Sequence, residues 1–352
     1  MQMRLQYTNK QLHSQSSLCN YKSIKYLQQG SFITCFTAVN SESEKVVLIV
    51  SDNTQELQTR FDLAKKLGDI DGVQKLYGLQ KLEIQDSALE QLEAEYPGIF
   101  SKDSHVLTGR YYATQYNDHV RQLSLPQKLD FFRELLVLVK QVHDKGVYHM
   151  DLKPSNIMVQ DGKPVLIDFG QSVTEAEVDS VLNTSAYAPK HDVYSCNVIP
   201  EKFDIYCLGN MLHEIYTGQP LGYLLSPSSK QKQIQQSIGV LAMDLIGSMT
   251  SRIQDLRLAL EYCMEHPLFN CDLSNFVDQC KLIDEFQQQI LNYSFCIEED
   301  PERIENSSCS SFYSECETLC KTNTNVSFRD LFGNVVLSRI NSCLLVIIEE
   351  SQ

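Results

Sequence analysis

The chain has 352 residues, 43% of them hydrophobic, 9% aromatic and only 10 of them proline, which suits one large globular unit or two smaller ones and excludes a fibrous or wholly disordered chain. Its net charge of −15 is uneven: residues 271–352 carry 14 acidic against 5 basic side chains, a surface that repels phosphate backbones, so no nucleic-acid partner is expected. No window reaches the roughly 18 apolar residues of a membrane span, and Met1 to Asn20 lack the apolar run of a secretory signal, so the expectation is an intracellular, cytoplasmic protein with no membrane span.

In chain order, residues 1–20 read as a flexible N-terminus. Short apolar stretches around a glycine turn, Tyr26-Leu27-Gln28-Gln29-Gly30-Ser31-Phe32, lead to Lys45-Val46-Val47-Leu48-Ile49-Val50 and predict strands of an antiparallel sheet. Leu57, Phe61, Ala64 and Leu67 recur at helical spacing and predict one helix after those strands. Ser124-Leu125-Pro126-Gln127 has the form of a capping box, followed by Leu129, Phe132, Leu136, Val139 and Val142 on one face and a stop at Gly146. A second, more apolar helix is predicted through Ile205, Leu208, Met211, Leu212 and Ile215, closed by Gly218 and Pro220. The stretch 271–352, with its Ser- and Asn-rich segments, reads as an acidic, partly disordered C-terminal extension, either an interaction tail or an incidental one. Twelve cysteines are scattered without a C-x-x-C pair; reduced thiols are favoured over zinc ligands, the nearest grouping being Cys309, Cys316 and Cys320.

The most specific stretch is Tyr148-His149-Met150-Asp151-Leu152-Lys153-Pro154-Ser155-Asn156-Ile157-Met158-Val159, followed by Val165-Leu166-Ile167-Asp168-Phe169-Gly170. Asp161-Gly162 between the halves is a hairpin signal. Pairing Ile157–Val159 with Val165–Ile167 places Asn156 and Asp168 on adjacent strand ends, where a carboxamide oxygen and a carboxylate can hold Mg²⁺ together with substrate phosphates. Asp151 and Lys153, two residues apart in one loop, supply an acceptor and a cation to the same pocket. That set suffices for phosphoryl transfer, which asks for positioning and charge neutralisation rather than covalent chemistry.

With those residues in place, the stretch resembles the catalytic and metal-binding loops of eukaryotic-type protein kinases, and Lys153 in its Lys-Pro-x-x-Asn setting resembles the serine/threonine branch. The similarity continues through Thr184-Ser185-Ala186-Tyr187-Ala188-Pro189, Asp204-Ile205-Tyr206-Cys207-Leu208-Gly209, Arg257 and His266-Pro267-Leu268-Phe269. The resemblance implies an α+β, two-lobed fold over residues 21–270. An N-lobe of about 21–116 would be small, antiparallel and β-rich with one main helix, and a C-lobe of about 117–270 larger and α-helical. It implies ATP and Mg²⁺ as cofactors. Asp151 would be the catalytic base and Lys153 would steady the transferred phosphate. Asn156 and Asp168 would bind metal, and Gly30, Ser31 and Phe32 would cover the nucleotide. Asp204 would brace the catalytic loop.

The pattern departs from the family in the small lobe. Gln28 and Ile33 stand at two of the three glycine positions of the phosphate-covering loop. The strand lysine falls at Ile49 or Val50 and its glutamate partner near Phe61 or Asp62; Lys45, Lys65 and Lys66 are the cations near enough to consider as replacements. Met150 replaces the arginine that reads a phosphorylated activation segment, although Ser172, Thr174, Ser180 and Thr184 could accept phosphate. Lys190 replaces the glutamate that pairs with Arg257, so two like charges are expected to face each other unless the loop has moved. Two readings stay open: a protein serine/threonine kinase acting on a protein hydroxyl, and a pseudokinase scaffold that binds protein partners with little or no transfer.

Overall fold

The computed structural model describes residues 21–30, 33–82, 89–90, 93–94, 96–179, 181, 185–193, 197–221, 239–270, 282–283, 285–286 and 289. The chain divides into units 1–286 and 287–352, and apart from Gln289 everything below belongs to the first. The expected N-terminal segment 1–20 and nearly all of the expected extension 271–352 lie outside the described residues.

Strands β1 (Lys22–Gln29), β2 (Thr34–Val39) and β3 (Lys45–Ser51) form an antiparallel meander, helix α1 (Thr54–Lys66) follows, and β4 (Leu76–Lys81) and β5 (His105–Arg110) complete a sheet ordered β1-β2-β3-β5-β4. Because side chains alternate across a strand, the apolar run of β3 divides between two cores. Val46, Leu48 and Val50 join Phe36, Val106, Tyr96 and Phe100 on one face. Val47 and Ile49 join Cys35, Leu107 and Leu57 of α1 on the other. Burial on both sides is why β3 lacks a polar face.

The Asn53 side chain accepts a hydrogen bond from the Glu56 amide at 3.1 Å and starts α1. The buried face of α1 differs from the expected one. It consists of Leu57, Arg60, Leu63 and Ala64, while Phe61 is half-buried under the Lys65 ammonium, 4.0 Å from its ring centroid. Hydropathy periodicity assigns an arginine outward, yet Arg60 is only 8% exposed; its two carboxylate partners, described below, offset the desolvation.

After the five-stranded sheet come β6 (Thr114–Gln115), α2 (Tyr116–Val120) and α3 (Leu125–Asp144). The Gln127 side-chain oxygen accepts from the Ser124 amide at 3.0 Å and the Ser124 hydroxyl at 2.8 Å, and α3 buries Leu129, Phe132, Leu136, Val139 and Val142 before ending short of Gly146. Strands β7 (Ile157–Gln160) and β8 (Lys163–Leu166) pair antiparallel, Ile157 with Leu166 and Gln160 with Lys163. Asp161 (φ 52°) and Gly162 (φ 80°) are both left-handed, the geometry of a type I′ turn. Helices α4 (Pro200–Thr217), α5 (Val240–Met249) and α6 (Leu260–Glu265) follow. Leu208, Met211 and Leu212 of α4 are wholly buried in the large core that also takes in α3. Among the described residues no helix is long and apolar enough to cross a membrane.

Candidate active site

The loop between α3 and β7 is held from below by one carboxylate. Asp204, at the start of α4 and fully buried, accepts from the His149 amide at 2.7 Å, the Met150 amide at 2.8 Å and His143 Nε2 at 2.9 Å. These bonds hold Met150 at φ 62°, a left-handed conformation that disfavours a residue with a long side chain. The Met150 side chain is 2% exposed and sits in the large core. An apolar chain therefore takes the place where an arginine would present charge to a phosphorylated segment. Ser172 donates to the His149 carbonyl at 3.3 Å, while Ser180 and Thr184 lie outside the described residues.

The fixed loop brings Asp151, Lys153 and Asn156 together. Lys153 Nζ donates to Asp151 Oδ2 at 2.5 Å. Asn156 Nδ2 donates to the Asp151 carbonyl at 2.8 Å and to Oδ2 at 2.9 Å, which leaves the Asn156 side-chain oxygen as its remaining atom for a cation. The Asp151 and Lys153 side chains are 13% and 30% exposed, enough for a substrate to reach them. The Ile167 amide donates to the Asn156 carbonyl at 3.0 Å, a backbone link between Asn156 and the residue that precedes Asp168. Among the described residues no group of three or more His, Cys, Asp or Glu side chains could hold a metal. One carboxylate and one carboxamide do suit a hard divalent cation whose other ligands are phosphate oxygens and water.

Asp168 is engaged by a residue that sequence reasoning missed. Arg60 Nη1 forms a short ion pair with Asp168 Oδ1, while Arg60 Nε and Nη2 donate to Glu56 Oε1 at 3.2 and 2.9 Å. The available signal was the Glu56–Arg60 spacing of four residues on one helix. Arg60 also lines a cavity of about 10 Å³ with Ile49, Ala64, Gln74, Leu76 and Phe169. Of the two positions considered for the strand lysine, Ile49 is thus the one on the site's side of the sheet, and Val50 lies in the opposite core. Neither Phe61 nor Asp62 occupies the partner position on α1. The replacement cations considered are directed elsewhere: Lys45 lies over the Tyr111 ring, Lys65 over Phe61, and Lys66 donates to the Gly146 carbonyl at 3.4 Å.

Gly30 opens the β1–β2 turn, its amide donating to the Ile33 carbonyl at 2.8 Å. It lines a separate cavity of about 280 Å³ with Ile33, Asp52 and Asn53, none of them a residue of the Asp151 cluster; Ser31 and Phe32 lie outside the described residues. The expected clash of Lys190 with Arg257 does not occur. Lys190 is exposed, and Arg257 instead binds Asp192 through Nη1 at 2.7 Å and Nη2 at 3.1 Å.

Burial pushes the Asp168 carboxyl up, but the Arg60 charge and hydrogen bond outweigh it and hold the group below the usual carboxylate range. Burial likewise pushes the Cys35 thiol, near Asp168 and Arg60, up to about 12, so it stays a neutral thiol. A carboxyl whose pKa falls on folding adds stability above its unfolded value, about 3.9, and loses it as pH drops through the lower folded value. Metal-free wild-type protein is therefore expected to exceed Asp168→Asn in stability at pH 7, with the gap closing below about pH 4. Urea titrations across that range test this; a gap independent of pH contradicts it.

A family model described as "Protein kinase domain" matches residues 21–280. The chain is 25% identical over 294 residues to the serine/threonine-protein kinase nekl-2 of Caenorhabditis elegans, covering 72% of this chain and 77% of that one. It is 29% identical over 181 residues to the sperm motility kinase 2B of Mus musculus, covering 46% and 37% of the two chains. With the Mus musculus Aurora kinase C it shares 27% identity over 163 residues, 42% of this chain and 59% of the other. The chain thus spans about three-quarters of the first relative and less than two-thirds of each of the two mouse proteins.

Proposed function

Because the chain belongs to the protein kinase family, we propose that it is a serine/threonine kinase transferring the γ-phosphate of ATP to a hydroxyl of a protein substrate. The observation that carries this reading is the assembled cluster of Asp151, Lys153 and Asn156, cross-linked at 2.5–2.9 Å on a loop that Asp204 holds rigid. Binding alone makes no demand for an acceptor, a cation and a carboxamide converging on one point.

In this reading the Asp151 carboxylate accepts the proton of the attacking hydroxyl as the new oxygen–phosphorus bond forms and the bond from the γ-phosphorus to ADP breaks. Lys153, already paired with Asp151, turns towards the moving phosphoryl oxygens and offsets their charge. The Asn156 side-chain oxygen and the Asp168 carboxylate would be the residues that hold Mg²⁺. When bound, magnesium would offset the negative charge of the phosphates.

Transfer from labelled Mg-ATP, to the chain and to a generic acceptor, tests the proposal beside Asp151→Asn. Loss of about 100-fold or more in the variant is expected, the usual scale of a general base. Equal incorporation by both proteins, or none by either across a range of acceptors, contradicts it. The second reading, a pseudokinase scaffold for protein partners, rests on one specific observation. Asp168 is occupied by Arg60 and the strand position facing it is Ile49, so the nucleotide grip differs from the family's usual one.

A further inference from the structure

The only lysine of β3, Lys45, lies over the Tyr111 ring, and the β3 position on the site's side is Ile49, yet the site does not lack a cation there. We propose that Arg60 of α1 is the nucleotide-phosphate positioning residue of this chain, supplying from the helix the positive charge that Ile49 cannot supply from the strand. The inference rests on the nucleotide-binding reading above.

Three observations converge on it. Arg60 is a buried arginine, 8% exposed, in a helix face otherwise made of Leu57, Leu63 and Ala64, and burying a guanidinium is costly unless its charge is used. Second, its guanidinium reaches Asp168, the carboxylate assigned above to the cation that accompanies phosphates, so its Nη1 stands beside the space those phosphates would fill. Third, the metal loop accommodates it: a methyl group added at Gly170 would overlap the guanidinium, so glycine at that position allows the close approach.

The partners of Arg60 suit a phosphate ligand better than a fixed strut. Glu56, on the same helix, takes Nε and Nη2 at 3.2 and 2.9 Å, so the guanidinium keeps its orientation whatever Asp168 does. Glu56 and Arg60 together are neutral, leaving the charge of Asp168 for a divalent cation. Once Asp168 turns to that cation, Nη1 is released towards phosphate oxygens, and a guanidinium can present two N–H groups to one phosphate. The family's pair spans strand and helix; here both members sit on the helix at i and i+4, and the link to the rest of the site runs through Asp168.

The test compares binding of Mg-ATP and of adenosine by calorimetry, because their ratio isolates the contribution of the phosphates without requiring turnover. In wild type Mg-ATP is expected to bind at least about tenfold more tightly than adenosine, one hydrogen-bonded charge pair being worth roughly that or more. Arg60→Met keeps the aliphatic stem and is expected to lose about tenfold of that preference while binding adenosine unchanged. Ile49→Lys combined with Arg60→Glu, which places a lysine on the strand and a glutamate on the helix, is expected to restore it. If Arg60→Met does not fold, judged by its melting transition, Arg60→Gln takes its place: a lowered ratio supports the proposal, an unchanged ratio overturns it. An Arg60→Met protein with an unchanged ratio, or with tighter Mg-ATP binding because Arg60 only blocked Asp168, overturns the role of Arg60 and leaves nucleotide binding standing. A wild-type chain that binds neither ligand overturns both.

Discussion

Replacing Asp192 by alanine is expected to destabilise the chain by about 3–5 kcal/mol, the scale for removing one partner of a buried ion pair. The cost comes from Arg257, whose side chain is wholly buried against a 3% exposed Asp192. All five of its N–H groups are satisfied. Nε donates to the Ser251 carbonyl at 2.9 Å, Nη1 to Asp192 Oδ2 at 2.7 Å and the Lys202 carbonyl at 3.0 Å, and Nη2 to Asp192 Oδ1 at 3.1 Å and His191 Nε2 at 3.0 Å. For His191 to accept there its ring is neutral, with the proton on Nδ1. Burial pushes its pKa down, Asp192 opposes, and the Arg257 charge adds to the lowering. The guanidinium also lies 4.9 Å from the Tyr206 ring centroid, a favourable cation–π placement. Without Asp192 a desolvated charge loses its counter-ion, whereas Lys190→Ala, on an exposed side chain, is expected to fall within about 0.5 kcal/mol of wild type. Urea unfolding of the two variants tests the assignment. Equal effects would mean that Asp192 is not the residue anchoring Arg257.

The second large effect is expected at Asp204. Asp204→Ala orphans two buried amides and the Nε2 of His143 at once. At about 1–3 kcal/mol for each unsatisfied group, partly recovered by relaxation, the loss is about 3–5 kcal/mol. It should be local before it is global, because the same bonds hold Met150 at a positive φ, a conformation that costs about 1–3 kcal/mol when nothing enforces it. Amide exchange is the discriminating measurement. The His149 and Met150 amides should lose protection more than those of α3, and phosphate transfer should fall with them because Asp151 is the next residue. Uniform loss of protection across both lobes would instead assign Asp204 to general core stability.

Both residues also illustrate what could be read from the chain. The strand and helix pattern is local physics: β-branched runs in β3, the Ser124–Gln127 cap before α3 and the Asp161-Gly162 turn between β7 and β8 each depend on neighbours a few residues away, so they are legible without coordinates. The convergence of Asp151, Lys153 and Asn156 was legible for the same reason, since one short loop carries all three. What needed the tertiary structure were contacts between distant segments. Arg60 and Asp168 are 108 residues apart, and hydropathy periodicity points a helix arginine to solvent because periodicity counts only the charge of the residue and not that of partners brought to it by folding. Arg257 and Asp192 are 65 apart. Their pairing departs from the one a family motif suggests because the carboxylate under the guanidinium belongs to Asp192, two residues after an exposed Lys190. Sequence order decided which elements form and where the loop of residues 149–156 lies. Only the packing of α1 against residues 168–171, and of His191 and Asp192 against Arg257, decided which charges neutralise one another, because Coulomb energy follows distance in space and burial, neither of which is written in the local pattern.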